Sequence, residues 1–135
     1  KIGIVGLGHM GGYHASVATT LPGLELVGVA DPHQKNLAKI TQSSVIKTHD
    51  FNDWIDLVDA VIIAVQTNNH YAVAKAFLER GKHVLVEKPL TKVLTQAEEL
   101  FALAQENNVT LHIGHVERFN GAVQELKKII KKDIG

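Results

Sequence analysis

Lys1–Gly12, KIGIVGLGHMGG, decides how the rest of the chain folds. Ile2, Ile4 and Val5 run into Gly6-x-Gly8-x-x-Gly11, and Met10, His14, Val17, Ala18 and Leu21 then recur at helical spacing. The pattern predicts a buried strand, a tight glycine turn and a helix. Glycine lets such a turn approach a pyrophosphate closely, and the helix N-terminus offers free N–H groups and the positive end of its dipole. A bare GxGxxG recurs in many glycine-rich turns. Its place between a strand and a helix is what points to a dinucleotide.

The chain has 135 residues, of which 45% are hydrophobic and 21% charged, a soluble profile with length enough for one domain core. Lys plus Arg equal Asp plus Glu at 14 each, so no net field recruits nucleic acid or a membrane surface. With no cysteine, disulfides, thiolate catalysis and cysteine-ligated metal centres are excluded, and a reducing, cytoplasmic setting is the simplest reading. The longest apolar run, Ala60–Val65, falls far short of the roughly 20 residues that span a bilayer.

Beyond the opening unit, Leu24–Ala30 is a strand candidate ending at Asp31-Pro32, with a short helix over His33–Thr41 whose first turn Pro32 suits. Ser44–Lys47 is a third strand, and Leu57–Val65 reads as a near-continuous apolar strand. Asn68 or Asn69 can cap a helix over His70–Arg80 that Gly81 closes. His83–Glu87 is the fifth strand, Thr95-x-x-Glu98 has capping-box spacing, Leu100, Leu103 and Ala104 form a buried stripe, and Val109–Gly114 is the sixth strand. Alternating strands and helices predict a doubly wound parallel α/β sheet. From Phe119 onward, Val123, Leu126, Ile129 and Ile130 share one face and Lys127, Lys128, Lys131 and Lys132 the other, an amphipathic helix whose packing partner is expected outside this stretch.

Asp31 lies 20 residues past Gly11, at a strand end where a carboxylate can accept hydrogen bonds from an adenosine ribose. An Asp before Pro is also a natural helix cap. A 2′-phosphate about 4 Å from this carboxylate meets roughly 4 kcal/mol of repulsion at an effective dielectric near 20, which favours NAD over NADP. His33 and Lys35 soften that preference. Glu87-Lys88-Pro89 closes the fifth strand, where ligands bind in such sheets, and a lysine there can move the proton of a substrate hydroxyl or carbonyl. His112-x-x-His115 is the nearest histidine pair; on a strand the two face opposite ways, so no metal site is expected. Trp54 and Phe51 read as core or edge residues.

GLGHMGGYHA (Gly6–Ala15), VADP (Val29–Pro32), HYAVAKAFLERGKHVLVEKPLT (His70–Thr91) and GHVERFN (Gly114–Asn120) stand in this order. Together they resemble the amino-terminal half of the glucose–fructose oxidoreductase / inositol dehydrogenase / rhizopine-catabolism (Gfo/Idh/MocA) family. The resemblance implies a six-stranded Rossmann domain over residues 1–118. Residues 119–135 would then begin a linker helix toward the family's second, α+β domain, which is absent from this chain.

By position, the resemblance assigns Gly6, Gly8 and Gly11 to the pyrophosphate turn, with His9 and Met10 supplying backbone, and Asp31 to the ribose. Thr67, Asn68 and His70 match the loop along the nicotinamide, Glu87 a cofactor-contacting acid, and Lys88 the catalytic lysine in a Lys88–Pro89 bond that is cis in many relatives. Pro89 belongs to the cofactor-binding set, and Arg118 matches a residue near the substrate. Gln66 stands where the family usually has proline, and the missing domain carries most of the substrate pocket. The implied whole protein is an NAD-dependent oxidoreductase acting on a secondary alcohol of a sugar, nucleotide-sugar or cyclitol, and a homo-oligomer. GHVERFN is similar to members acting on nucleotide-linked amino sugars. The competing readings are a non-catalytic NAD(P)-binding sensor or scaffold, which needs no Lys88, and a domain using the same turn for S-adenosylmethionine.

Overall fold

The computed structural model describes the backbone of residues 1–133 and the side chains of residues 1–130. Among them, six strands are laid out as β1 (Ile2–Val5), β2 (Leu26–Ala30), β3 (Ile46–Thr48), β4 (Ala60–Ile63), β5 (His83–Val86) and β6 (Leu111–Ile113). The helices are α1 (His9–Thr20), α2 (Gln34–Leu37), α3 (Thr67–Leu78), α4 (Leu94–Glu106) and α5 (Gly121–Asp133). Every neighbouring pair of strands is parallel, in the order β3-β2-β1-β4-β5-β6. The order reverses between β1 and β4, and that is where a doubly wound sheet opens a crevice for ligands.

Each face of the sheet carries its own core. Ile2 and Ile4 of β1 lie with Ala15 and Ala18 of α1, Leu37 of α2 and Val29 of β2 on one side. Val5, Val61, Ile63, Val84 and Val86 lie with α3, α4 and Trp54 on the other. The strict alternation along β1 follows from strand geometry. Trp54 is 1% exposed, and its ring lies where a Cβ on Gly3 or Gly28 would stand, so two glycines in adjacent strands make the floor on which the indole rests. Trp54 is thus a core residue, as its sequence context implied. Among the described residues its Nε1 has no hydrogen-bond partner, so hydrophobic packing holds it there.

Several local expectations are corrected. Helix α1 buries Gly11, Ala15 and Ala18, whereas Met10, Val17 and Leu21 are exposed. Only small residues let this helix lie close to the sheet, so volume, not hydrophobicity, selects its inner face. Helix α2 is one turn long and begins after His33, which leaves Pro32 outside it. Strand β4 starts at Ala60, because Leu57 belongs to a 3₁₀ turn over Ile55–Leu57 and is exposed. Helix α3 begins at Thr67 behind Gln66, so neither Asn68 nor Asn69 caps it. Helix α4 begins at Leu94, with Thr95 already inside and no side-chain cap at Val93.

The end of α3 follows its expectation: Gly81 has φ +68°, with its N–H on the Leu78 carbonyl and the Lys82 N–H on that of Phe77. These are the paired bonds of a Schellman closure. In α5, Leu126, Ile129 and Ile130 are exposed, while Lys131 and Lys132 of the expected lysine face lie outside the described side chains. Residues 134 and 135 of the expected linker helix lie outside the described residues. No helix of the described residues is long and apolar enough to cross a membrane.

Candidate functional site

Parallel strands in register end on one edge, and hydrogen bonds continue one residue past them. The Gly6 N–H donates to the Ala30 carbonyl, Ala64 to Val5, Glu87 to Ile63 and Gly114 to Val86, all at 2.8–2.9 Å. Gly6, Asp31, Ala64, Glu87 and Gly114 therefore form a single row along the carboxyl edge. Residues from five separate strand ends meet there because of the fold alone.

Gly6 adopts φ +89°, and a Cβ on it would overlap the backbone at Ala64 and Val65. A Cβ on Gly11 would overlap the Gly6 carbonyl oxygen, whereas one on Gly8 would meet nothing. Two glycines thus close the turn, and the third leaves it open on its outer side. Gly8 is the N-cap of α1 and supplies no side-chain cap, so the first amides of the helix, including those of His9 and Met10, are left free to bind an anion. This cradle fits a dinucleotide pyrophosphate.

Asp31 is 5% exposed. Its Oδ2 accepts the Leu7 N–H at 2.7 Å, and its Oδ1 accepts the His33 N–H at 2.8 Å and the Asn36 Nδ2 at 3.0 Å. Burial raises the carboxyl's pKa, but the bonds from Leu7, His33 and Asn36 outweigh it and leave the group below its ordinary value of 3.8. One carboxylate has about four acceptor sites, and these three bonds fill three of them. Asp31 does not cap α2, whose N-cap is His33; its Oδ1 orders the turn at His33 instead and so holds the carboxylate beside the glycines. Gly6, Gly8, Asp31, Gln66 and Asn69 line one cleft of about 400 Å³. An adjoining cleft carries His9, His33, Lys35 and Lys39.

Asp31 also makes a pH prediction. A carboxylate with a depressed folded-state pKa contributes stability above its unfolded value and loses it as pH falls through the folded one. The difference in melting temperature between the wild type and Asp31→Asn is therefore expected to be constant near neutrality and to shrink below about pH 4. A difference that grows on acidification would contradict the bonding described.

Thr67 and Asn68 do not line the glycine cleft; they border a separate one with Lys92, Val93 and Gln96. Gln66 and Asn69 stand on the glycine side instead, because α3 starts earlier than the sequence suggests. His70 is 1% exposed, with Nδ1 facing the Pro89 carbonyl at 2.8 Å and Nε2 facing the Val65 carbonyl at 3.1 Å. Both nitrogens are engaged within the protein, and the ring ties the loop after β4 to the segment after β5.

The Lys88–Pro89 bond is cis. Glu87 is buried, its Oε1 2.8 Å from His14 Nε2 and its Oε2 accepting the Lys88 N–H at 3.3 Å. The exposed Lys88 opens with His115, Arg118, Val123 and Lys127 onto a cleft of about 610 Å³, so the expected lysine and arginine face a common space. No group of three or more metal-ligating side chains, around His112 and His115 or elsewhere, occurs among the described residues. His14 escaped the sequence reading: its partner lies 73 residues away, and nothing in local spacing signals the pair.

A family model described as an oxidoreductase family with an NAD-binding Rossmann fold matches residues 1–115. UDP-N-acetylglucosamine 3-dehydrogenase of Acidithiobacillus ferrooxidans is 33% identical over 95% of this chain and 41% of its own. The scyllo-inositol 2-dehydrogenase (NAD(+)) of Bacillus subtilis is 31% identical over 96% of this chain and 40% of its own. The crystal structure of biliverdin reductase from Synechocystis, in complex with biliverdin and NADP+, superposes with a TM-score of 0.85 at 31% identity, covering 99% of this chain and 42% of that one. The chain spans about two fifths of the length of these relatives. With the glycine turn, parallel sheet and family match in agreement, the chain belongs to the Gfo/Idh/MocA oxidoreductases and constitutes their NAD-binding Rossmann domain.

Proposed function

We propose that this chain is the cofactor half of a dehydrogenase that moves a hydride between NAD and a secondary alcohol of a sugar, nucleotide-sugar or cyclitol. The observation that carries this is the row on the carboxyl edge: pyrophosphate turn, ribose carboxylate and a lysine that opens onto a second cleft. Residues 1–118 form the Rossmann domain in this reading, and 119–135 lead toward a substrate and oligomerisation domain. The setting is cytoplasmic and the whole protein a homo-oligomer.

The first amides of α1 hold the pyrophosphate and Asp31 holds the adenosine ribose. When bound, NAD supplies the hydride acceptor. Lys88 Nζ takes the substrate hydroxyl proton during oxidation and returns it during reduction, while Arg118 orients the substrate across the shared cleft. Such proton transfer contributes about 10²–10⁴ in rate. Asp31→Ala is expected to weaken NAD about tenfold, as loss of a hydrogen bond to a charged group does, and to narrow the gap between NAD and NADP. Calorimetric titration with both cofactors measures this.

The reaction itself is tested by incubating the whole protein with NAD and a panel of cyclitols, free sugars and UDP-sugars while following reduced nicotinamide absorbance. Reduction with one class and none with the others is expected. No reduction by any of them, in protein that binds NAD, would reject the dehydrogenase reading.

A further inference from the structure

We propose that His14 is a positioning residue that aims the Glu87 carboxylate at the nicotinamide end of the cofactor. The inference rests on the cofactor reading above and adds a residue to it. His14 lies on the inner side of α1, one helical turn beyond the pyrophosphate amides, and reaches across the crevice to the end of β5.

A carboxylate can only accept, so the 2.8 Å contact with Glu87 Oε1 fixes the His14 proton on Nε2. The Lys88 N–H restrains the other oxygen, at 3.3 Å. The carboxylate packs over Gly114 on the β6 side, where an added Cβ would stand 3.2 Å from Oε1. The Glu87 side chain is 8% exposed and that of His14 20%, so the pair sits at the rim of the crevice with acceptor sites to spare.

With the order β3-β2-β1-β4-β5-β6, a dinucleotide bound at the switch point would set its adenosine toward β2 and its nicotinamide toward β4 and β5. Glu87 therefore stands where a primary carboxamide would offer two N–H donors. An acid free to turn would meet that amide at an entropic cost. One clamped from α1, β5 and β6 meets it already oriented. The clamp couples the pyrophosphate helix to the nicotinamide site through one side chain.

The test compares NAD with ADP-ribose, which keeps the pyrophosphate and both riboses but lacks nicotinamide. Both are titrated calorimetrically into the wild-type chain, His14→Leu and His14→Gln. The glutamine places an amide N–H about where Nε2 stands; the leucine fills the space without a donor. We expect His14→Leu to lose on the order of tenfold in NAD affinity with ADP-ribose within about twofold, and His14→Gln to recover most of the loss. Parallel weakening of both ligands, or an unfolded leucine variant with a glutamine variant equally weak toward both, would make His14 merely structural and overturn the proposal. Unchanged NAD affinity in both variants would also overturn it. Wild-type chain that binds neither ligand would instead reject the cofactor reading on which the inference stands.

Discussion

Lys88→Ala in the whole protein is expected to leave NAD affinity within about twofold of wild type and to lower turnover by roughly 10²-fold or more. The split follows from geometry. Lys88 is exposed and opens onto the cleft it shares with Arg118, whereas the pyrophosphate and ribose contacts belong to α1 and Asp31, two and three strands away in the sheet order. Removing its amine takes away a proton carrier without touching the cradle. Lys88→Arg keeps the charge but not the lysine's ability to give up its proton, so it should resemble alanine in turnover. Steady-state kinetics on any substrate that reduces NAD, set beside NAD titration, reads both quantities. Near-normal turnover in Lys88→Ala would remove the lysine from the chemistry.

Trp54→Ala is expected to be the most destabilising single change in the fold, at about 3–5 kcal/mol. The indole is buried between β1 and β2 on one side and Phe77 on the other, with ring centroids 5.8 Å apart. No neighbouring side chain can fill its place, because the strand positions beneath it are glycines. For a domain of this size, each kcal/mol lowers the melting temperature by roughly 3–6 °C, so a fall of 10 °C or more is expected. Gly28→Ala should destabilise by the opposite route, since its Cβ and the rigid indole claim one space; overpacking of this kind costs about 1–3 kcal/mol. The double variant Gly28→Ala/Trp54→Ala would then be less impaired than the sum of the two, which thermal melts can read.

The parts of the fold legible in the sequence were those where a residue type has one physical use. Gly6 and Gly11 declared a turn because no side chain fits there, Gly81 closed a helix because its φ is positive, and apolar runs named five of the six strands, whereas the third, read over Ser44–Lys47, runs over Ile46–Thr48. Helix starts were less legible. Asn68, Asn69 and Thr95 have capping chemistry, yet each sits inside a helix whose start is set by packing on the sheet. The outer face of α1 misled for a related reason: Met10, Val17 and Leu21 are apolar, but the sheet admits only Gly11, Ala15 and Ala18.

In the site, Asp31 and Lys88 could be placed from spacing and strand ends. The order of the cleft could not: Gln66 and Asn69 line the glycine cleft, while Thr67 and Asn68 border a separate one. Long-range pairings such as His14 with Glu87, and His70 with Pro89, appear only when the strands are brought into register. Such pairings supply the rigidity that a motif cannot express.

The central claim, that the Gly6–Gly11 turn and Asp31 form a pyridine-dinucleotide site, is tested most directly by titrating the chain with NAD, NADP and S-adenosylmethionine in a calorimeter. NAD should bind at one site per chain and more tightly than NADP, with no saturable heat from S-adenosylmethionine. Saturable binding of S-adenosylmethionine alone, with no heat from either dinucleotide, would contradict the account.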